Sequence, residues 1–365
     1  MTQIKVDTIT DAAGTGKPDL SDGVTVNSAA LSSVNVAQYT SSASEPSSPK
    51  NGALWWDSAN SKAMIYVAGE WKEVELGASA GGVSWYGDRA IVAGGQASSG
   101  ASNIIDYFSI ATTGNATDFG DLTLSKAGLA ALSNATTALV AGFANNSVEY
   151  ITIATTGNGA DFGDLSGTKS YLASMSDGTF GLFAGGSGGT KKEIDYFTIA
   201  TAGNATDFGD LTTGGYGLAG CGDGTYGLTG GGYTSTRSSK IDYVTIATPA
   251  DATVFGSLIS AKYNLASASD TTRALWAGGY ISSNQNVIEY VTMVTTGDST
   301  DFGDLTSARN RPVGTGDGTY ATFSGGTTNN NVIDYVTVQT TGNATDFGDL
   351  TVGRYSAGST SGSSS

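Results

Sequence analysis

Residues 112–123 read TTGNATDFGDLT, and the same twelve letters return at 340–351. Near-copies stand between them: TTGNGADFGDL at 155–165, TAGNATDFGDL at 201–211 and TTGDSTDFGDL at 295–305. A stretch needed this often is a building block, so repeats are the first thing to measure. Ahead of each copy lies Ile/Val-Asp/Glu-Tyr, with its tyrosine at 107, 150, 196, 243, 290 and 335, giving spacings of 43, 46, 47, 47 and 45 residues. Ahead of that comes an apolar run that usually ends in Gly-Gly, as in IVAGG (91–95), LFAGG (182–186) and LWAGG (275–279); the second unit departs with VAGF (140–143).

Each unit holds four short β segments and almost no helical period. RNRPVGTG (309–316), YATFSGG (320–326), VIDYVTVQ (332–339) and DFGDLT (346–351) make up one of them. Four strands per period of about 45 residues is the pattern of a β-propeller blade. The expected fold is therefore all-β: a six-bladed propeller of four-stranded antiparallel blades over 79–365. Phe119, Phe162, Phe208, Phe255, Phe302 and Phe347 are its expected anchors, one per blade, each worth about 1.5–3 kcal/mol if fully buried. The first unit begins late, and VGRYSAGST (352–360) aligns with first-strand segments such as SAKYNLASA (260–268). The C-terminal strand is thus expected to complete the first blade and remove a free sheet edge.

Composition agrees. Charged residues are only 14% of the 365 and glycine counts 53, which suits tight turns between strands better than helices. The formal net charge of −16 argues against nucleic acid and acidic membranes as partners. One cysteine and no histidine exclude an internal disulfide, His/Cys zinc sites and histidine-based triads. The opening MTQIKVDTIT reads as neither signal peptide nor membrane span, so synthesis in a cytoplasm without export is expected.

The first eighty residues differ in kind. Residues 1–36 read as an anchoring segment, and 37–50 (AQYTSSASEPSSPK) as a Ser/Pro linker. Residues 51–78 read as a three-stranded meander with Trp55, Trp56, Tyr66 and Trp71 as a small aromatic core. So few residues need a neighbour or another copy of the chain for stability.

These features carry two resemblances. The glycine pair ending the second strand, the tyrosine in the third and the aromatic opening the fourth resemble the kelch repeat, with Phe in place of the usual Trp. The opening IKVDTITDAAGTGKPDLSDGVTV, the SEPSSPKNGALWWDSANSKAMIYVAGEWKEV module and the glycine-rich repeats are similar to tail-fibre and related virion proteins of tailed bacteriophages, particularly phages of marine cyanobacteria. That resemblance implies a structural protein at the virion surface, joined to other tail proteins through 1–78 and displaying the propeller to a host glycan or receptor. Fibre proteins are commonly trimers, so a homo-oligomer is expected, associating through the linker and meander. Two alternatives stand beside this: a capsid or tail decoration protein, and a propeller glycosidase or depolymerase.

Comparing the copies separates scaffold from variable surface. The turn after the third strand is nearly constant. The segments after Gly-Gly all differ: QASSGASN (96–103), SGGTKK (187–192), YTSTRSS (233–239), YISSNQN (280–286) and TTNNN (327–331). In a four-stranded blade these loops share a face with the blade-to-blade connections, and variable loops on a rigid scaffold are where recognition sits. Four residues beyond the Leu of FGDL or FGSL stand Lys126, Lys169, Lys262, Arg309 and Arg354 at five of six junctions, with Gly215 at the third. Tyr171, Tyr216, Tyr263 and Tyr355 lie beside them. One reading makes these basic residues ties between blades; the other makes them, with the tyrosines, a mouth for an anionic sugar or other acidic group.

The constant turns bring acidic residues such as Asp118, Asp121, Asp346 and Asp349, for which calcium is a conceivable cofactor, although no D-x-D-x-D-G run is present. Asp118-Phe119-Gly120 spells the magnesium-holding tripeptide of protein kinases, but a metal aspartate is needed once, whereas this one recurs in five units and no other kinase motif accompanies it. Gly215–Gly220 matches GxGxxG without a following helix. Nearly every carboxylate in the repeats has equivalents in sister units, which argues against a catalytic pair set apart by its environment. A non-enzymatic protein is expected.

Overall fold

In the computed structural model, described residues run from Trp85 to Ser364 except 144, 188–191 and 328–329; before Trp85 only shorter stretches are described, chiefly 39–42, 53–57, 62–67 and 70–73. Most of the anchoring segment 1–36 lies outside them, as does part of the SGGTKK and TTNNN loops. The chain divides into two compact units, Met1–Gly82 and Val83–Ser365.

In the first unit Leu54–Asp57, Lys62–Val67 and Glu70–Glu73 form the antiparallel meander. Trp55 is buried and meets Trp71 edge-on at 5.4 Å, while Tyr66 meets Trp71 at 5.3 Å. Tyr39–Ser42, inside the segment read as linker, pairs in parallel with Leu54–Asp57 as a fourth strand. Backbone pairing at an edge requires no apolar alternation, which is why the sequence pattern missed it.

The second unit is a six-bladed β-propeller, each blade a four-stranded antiparallel sheet. Blade 4 shows the order from the axis outward: Tyr216–Gly222, Tyr226–Tyr233, Lys240–Thr245, Thr253–Ser257. Its GxGxxG look-alike is thus the innermost strand. In blade 1 that place is taken by Gly358–Gly362, which pairs antiparallel with Arg89–Ala93 and closes the ring.

The core lies between blades. Six apolar clusters each join two neighbours, as where Phe119 and Leu122 of blade 1 meet Val140, Ile151 and Ile153 of blade 2. The sixth joins Phe347 and Leu350 of blade 6 to Val92 and Phe108 of blade 1. All six anchor phenylalanines are buried, each against the following blade. The third strands VIDYVT and KIDYVT bury the same three positions, the Ile, the Asp that follows it across a register shift, and the Val before the closing Thr.

The constant turn serves the neighbour as well as its own blade. The Oδ1 of Asn115, Asn158, Asn204, Asp251, Asp298 and Asn343 each accepts a hydrogen bond, at 2.9–3.1 Å, from the N–H after the Phe-Gly of the preceding blade. The Gly157 and Gly342 N–H groups donate to the Phe119 and Phe302 carbonyls in the same way. This docking explains the glycine of DFG. At Gly120, Gly163, Gly303 and Gly348 φ is near +150°, and a Cβ would strike the carbonyl of the next blade's turn glycine.

Candidate functional site

The five basic residues at the junctions lead inward. Lys126, Lys169, Lys262, Arg309 and Arg354 are all at most 1% exposed. Lys126 meets Glu149 at 2.7 Å, Lys169 meets Asp195 at 2.9 Å, Lys262 meets Glu289 at 2.5 Å, Arg309 meets Asp334 at 2.8 Å and Arg354 meets Asp106 at 3.1 Å. Every partner is the acidic residue of Ile/Val-Asp/Glu-Tyr in the following blade. For Lys126, Lys262, Arg309 and Arg354 the residue's own carbonyl also accepts the second N–H of a Gly-Gly pair in its own blade, as Gly279 to Arg309 and Gly326 to Arg354. These four therefore staple two blades, by backbone to one and by charge to the next. Burial draws Arg309 and Arg354 below the usual guanidinium value, opposed by Asp334 and Asp106. These five side chains present nothing to a ligand, which corrects the reading of them as a basic mouth.

Two residues further on, the backbone does something else. Gly128, Tyr171, Gly217, Asn264, Arg311 and Ser356 occupy one position per blade, and all have φ between 54° and 74°. The N–H of each donates to the carbonyl of the one before: Tyr171 to Gly128, Gly217 to Tyr171, Asn264 to Gly217, Arg311 to Asn264, Ser356 to Arg311 and Gly128 to Ser356, at 2.7–3.1 Å. The six bonds form a closed ring around the axis. Left-handed backbone costs a non-glycine residue about 1–2 kcal/mol. Glycine fills the position twice, so four side chains are held here against that cost.

The ring order sets Tyr171 and Arg311 three steps apart, on opposite sides, and they meet across it. The Arg311 guanidinium lies 5.3 Å from the Tyr171 ring centre and 5.6 Å from that of Tyr355. An arc of aromatic rings continues from Tyr171 through Tyr216, Tyr233 and Tyr263 to Tyr280, with successive centroids 5.1–6.2 Å apart. All are partly exposed. Burial raises the Tyr216 phenol, Tyr263 and Tyr233 add to this, and Arg311 opposes it.

Arg311 differs from the other stacked arginines. Arg89, over Tyr107, donates to the Ile153 and Ala154 carbonyls, and Arg273, over Tyr290, donates to the Val338 carbonyl. Among the described residues no carboxylate lies within ion-pair distance of Arg311, and its Nε is buried without a partner.

Beneath the ring the innermost strands enclose a cavity of about 150 Å³. Its walls are small because each strand bonds its neighbour closely: Ser174, Ser176, Ser267 and Ser269 donate through Oγ to carbonyls of the preceding blade at 2.6–2.8 Å. At the far end Trp85 and Tyr86, stacked edge-on at 4.9 Å, abut Gly224 and Gly318. Burial pushes the Cys221 thiol in the wall up to about 12, leaving it a neutral filler rather than a nucleophile. Among the described residues no carboxylate lines the cavity.

The four tyrosines singled out from the sequence do gather at this mouth, without the five basic residues. Tyr233 and Tyr280 entered only as the first residues of the variable loops 233–239 and 280–286, and Arg311 was missed. The first two directly follow a Gly-Gly pair, and Arg311 lies two residues past Arg309, so the repeat alignment held the signal. Among the described residues no group of three or more Asp, Glu or Cys is placed to hold a metal ion. The Asp177, Asp223 and Asp317 side chains cap their own turns instead. No protein-family model matches the sequence, and no curated protein matches it.

Proposed function

We propose that the chain is a non-enzymatic virion protein of a tailed phage, at or near the tail, that displays its propeller for attachment to a host-surface glycan or receptor. The observation that carries the binding role is the arc of partly exposed tyrosines around one mouth of the channel, with Arg311 stacked over it. Tyrosine offers a broad, stiff amphipathic face at low entropic cost, suited to sugar rings and to protein anchors alike. The repeated scaffold supports display: its ionic staples and docked turns recur at nearly every junction, while the loops beside the mouth differ from blade to blade. The absence of carboxylates from the cavity wall favours binding over hydrolysis, since glycoside cleavage ordinarily needs a pair of acids. The virion assignment rests on the resemblance of the N-terminal module and the repeats.

Fluorescently tagged full-length protein is expected to label cyanobacterial cells, and Tyr216→Ala with Tyr263→Ala to lose most of that labelling while retaining its unfolding midpoint. Equal labelling by the double variant would overturn this face as the binding surface. Imaging of particles tagged at the C-terminus tests the location.

A further inference from the structure

The channel mouth has features of a specific site for a small acid. Arg311 presents a guanidinium over both Tyr171 and Tyr355 with no counter-charge among the described residues, and its Nε is buried without a partner. The Oγ of Ser356, a residue 7% exposed and adjacent in the ring, is likewise buried and unpartnered. Both line the same cavity, whose 150 Å³ is comparable to a void that accepts one six-membered ring. An unpaired buried donor costs stability, and both residues also hold a left-handed backbone that glycine tolerates at Gly128 and Gly217. Arg309 and Arg354 also keep unpartnered buried nitrogens, but each has an acidic partner, which Arg311 lacks among the described residues.

From this we infer that the mouth is a binding site for a sugar ring bearing a carboxylate, a uronic-acid class of residue, with its carboxylate on Arg311. A guanidinium presents a planar fork that matches a carboxylate in two parallel hydrogen bonds. The flanking tyrosines pack against the apolar face of a pyranose. A neutral sugar leaves Arg311 unpaired, so the carboxylate sets the preference. The inference rests on the binding role proposed above and names the ligand class for it.

The test uses the full chain and a matched pair of probes, methyl β-D-glucuronide and methyl β-D-glucoside, which differ only in the carboxylate. Saturation-transfer NMR titration is expected to show the glucuronide binding at least about ten-fold more tightly, the scale of a charge-assisted hydrogen-bonded pair. Arg311→Gly is expected to erase that preference while unfolding cooperatively near the wild-type denaturant midpoint, because the backbone there suits glycine. Arg311→Lys keeps the charge without the fork and is expected to retain only part of the preference. Equal binding of the two probes, no binding of either, or an undiminished preference in Arg311→Gly would overturn the inference. Cell labelling separates the two readings: wild-type labelling without any glucuronide preference defeats only this inference, whereas absence of labelling defeats the attachment role.

Discussion

Arg309 and Arg311 stand two residues apart in the same connection, and they do opposite things. Arg309 is fully buried against Asp334 and joins two blades. Arg311 faces the axis, meets a tyrosine from the opposite side of the ring and has no acidic partner among the described residues. The difference is one of backbone. At Arg309 the chain is still in the outermost strand Thr300–Arg309, pointing its side chain into the blade interface, and by Arg311 it has turned with φ near 57° onto the mouth. A positive charge in this protein is structural or available to a ligand according to which side of that turn it occupies. The junction into blade 4 is a natural control, because Gly215 leaves Asp242 with no buried basic partner among the described residues; it accepts hydrogen bonds from Thr212 and the Thr213 backbone, with Lys240 nearby.

The comparison can be broken at several depths. Removing residues 352–365 takes away the closing strand and is expected to abolish a single cooperative unfolding transition, leaving Arg89–Ala93 as a bare edge that self-associates; light scattering and circular dichroism would show it. Arg309→Ala strands a buried carboxylate and is expected to cost about 3–5 kcal/mol in urea unfolding, and Arg354→Ala the same. Gly303→Ala drives a Cβ into the next blade's turn and is expected to cost about 1–3 kcal/mol by the same measurement.

Asp242→Asn sharpens the contrast from the other side. Burial raises the Asp242 carboxyl despite hydrogen bonds from Thr212 and the nearby Lys240. The folded state therefore holds this proton more tightly than the unfolded chain. Its contribution to stability is full below the ordinary carboxylate value and is lost as pH rises through the raised one. Asp242→Asn is thus expected to gain stability relative to wild type at neutral pH, the gap closing in acid, whereas Asp334→Asn loses stability at neutral pH. Unfolding midpoints across pH would check both. The smallest effect on the fold belongs to Arg311→Gly, within about 1 kcal/mol of wild type, because relief of the left-handed backbone is offset by a freer unfolded chain and the lost stacking on Tyr171 and Tyr355.

The period of the Tyr and FGDL motifs carried the blade count, the four strands and the phenylalanine anchors, since these are local patterns repeated along the chain. TTGNATDFGDLT could also be recognised as scaffold because it recurs. Its double duty could not: that Asn115 serves blade 6 and Gly120 must admit the turn of blade 2 depends on which units become neighbours. The tyrosines could be named from the sequence, yet grouping them with Lys126, Lys169, Lys262, Arg309 and Arg354 misplaced the charge.

What the sequence determined by itself was therefore everything periodic: strand spacing, ring size, the anchors, and which loops vary. What only the tertiary structure decided was direction. Alternation tells which residues share a face of a strand, but the turn after Arg309 carries no side-chain period. Whether a side chain there enters a blade interface or the axial mouth is fixed by a six-membered ring of backbone hydrogen bonds, and that ring exists only once blade 6 has met blade 1.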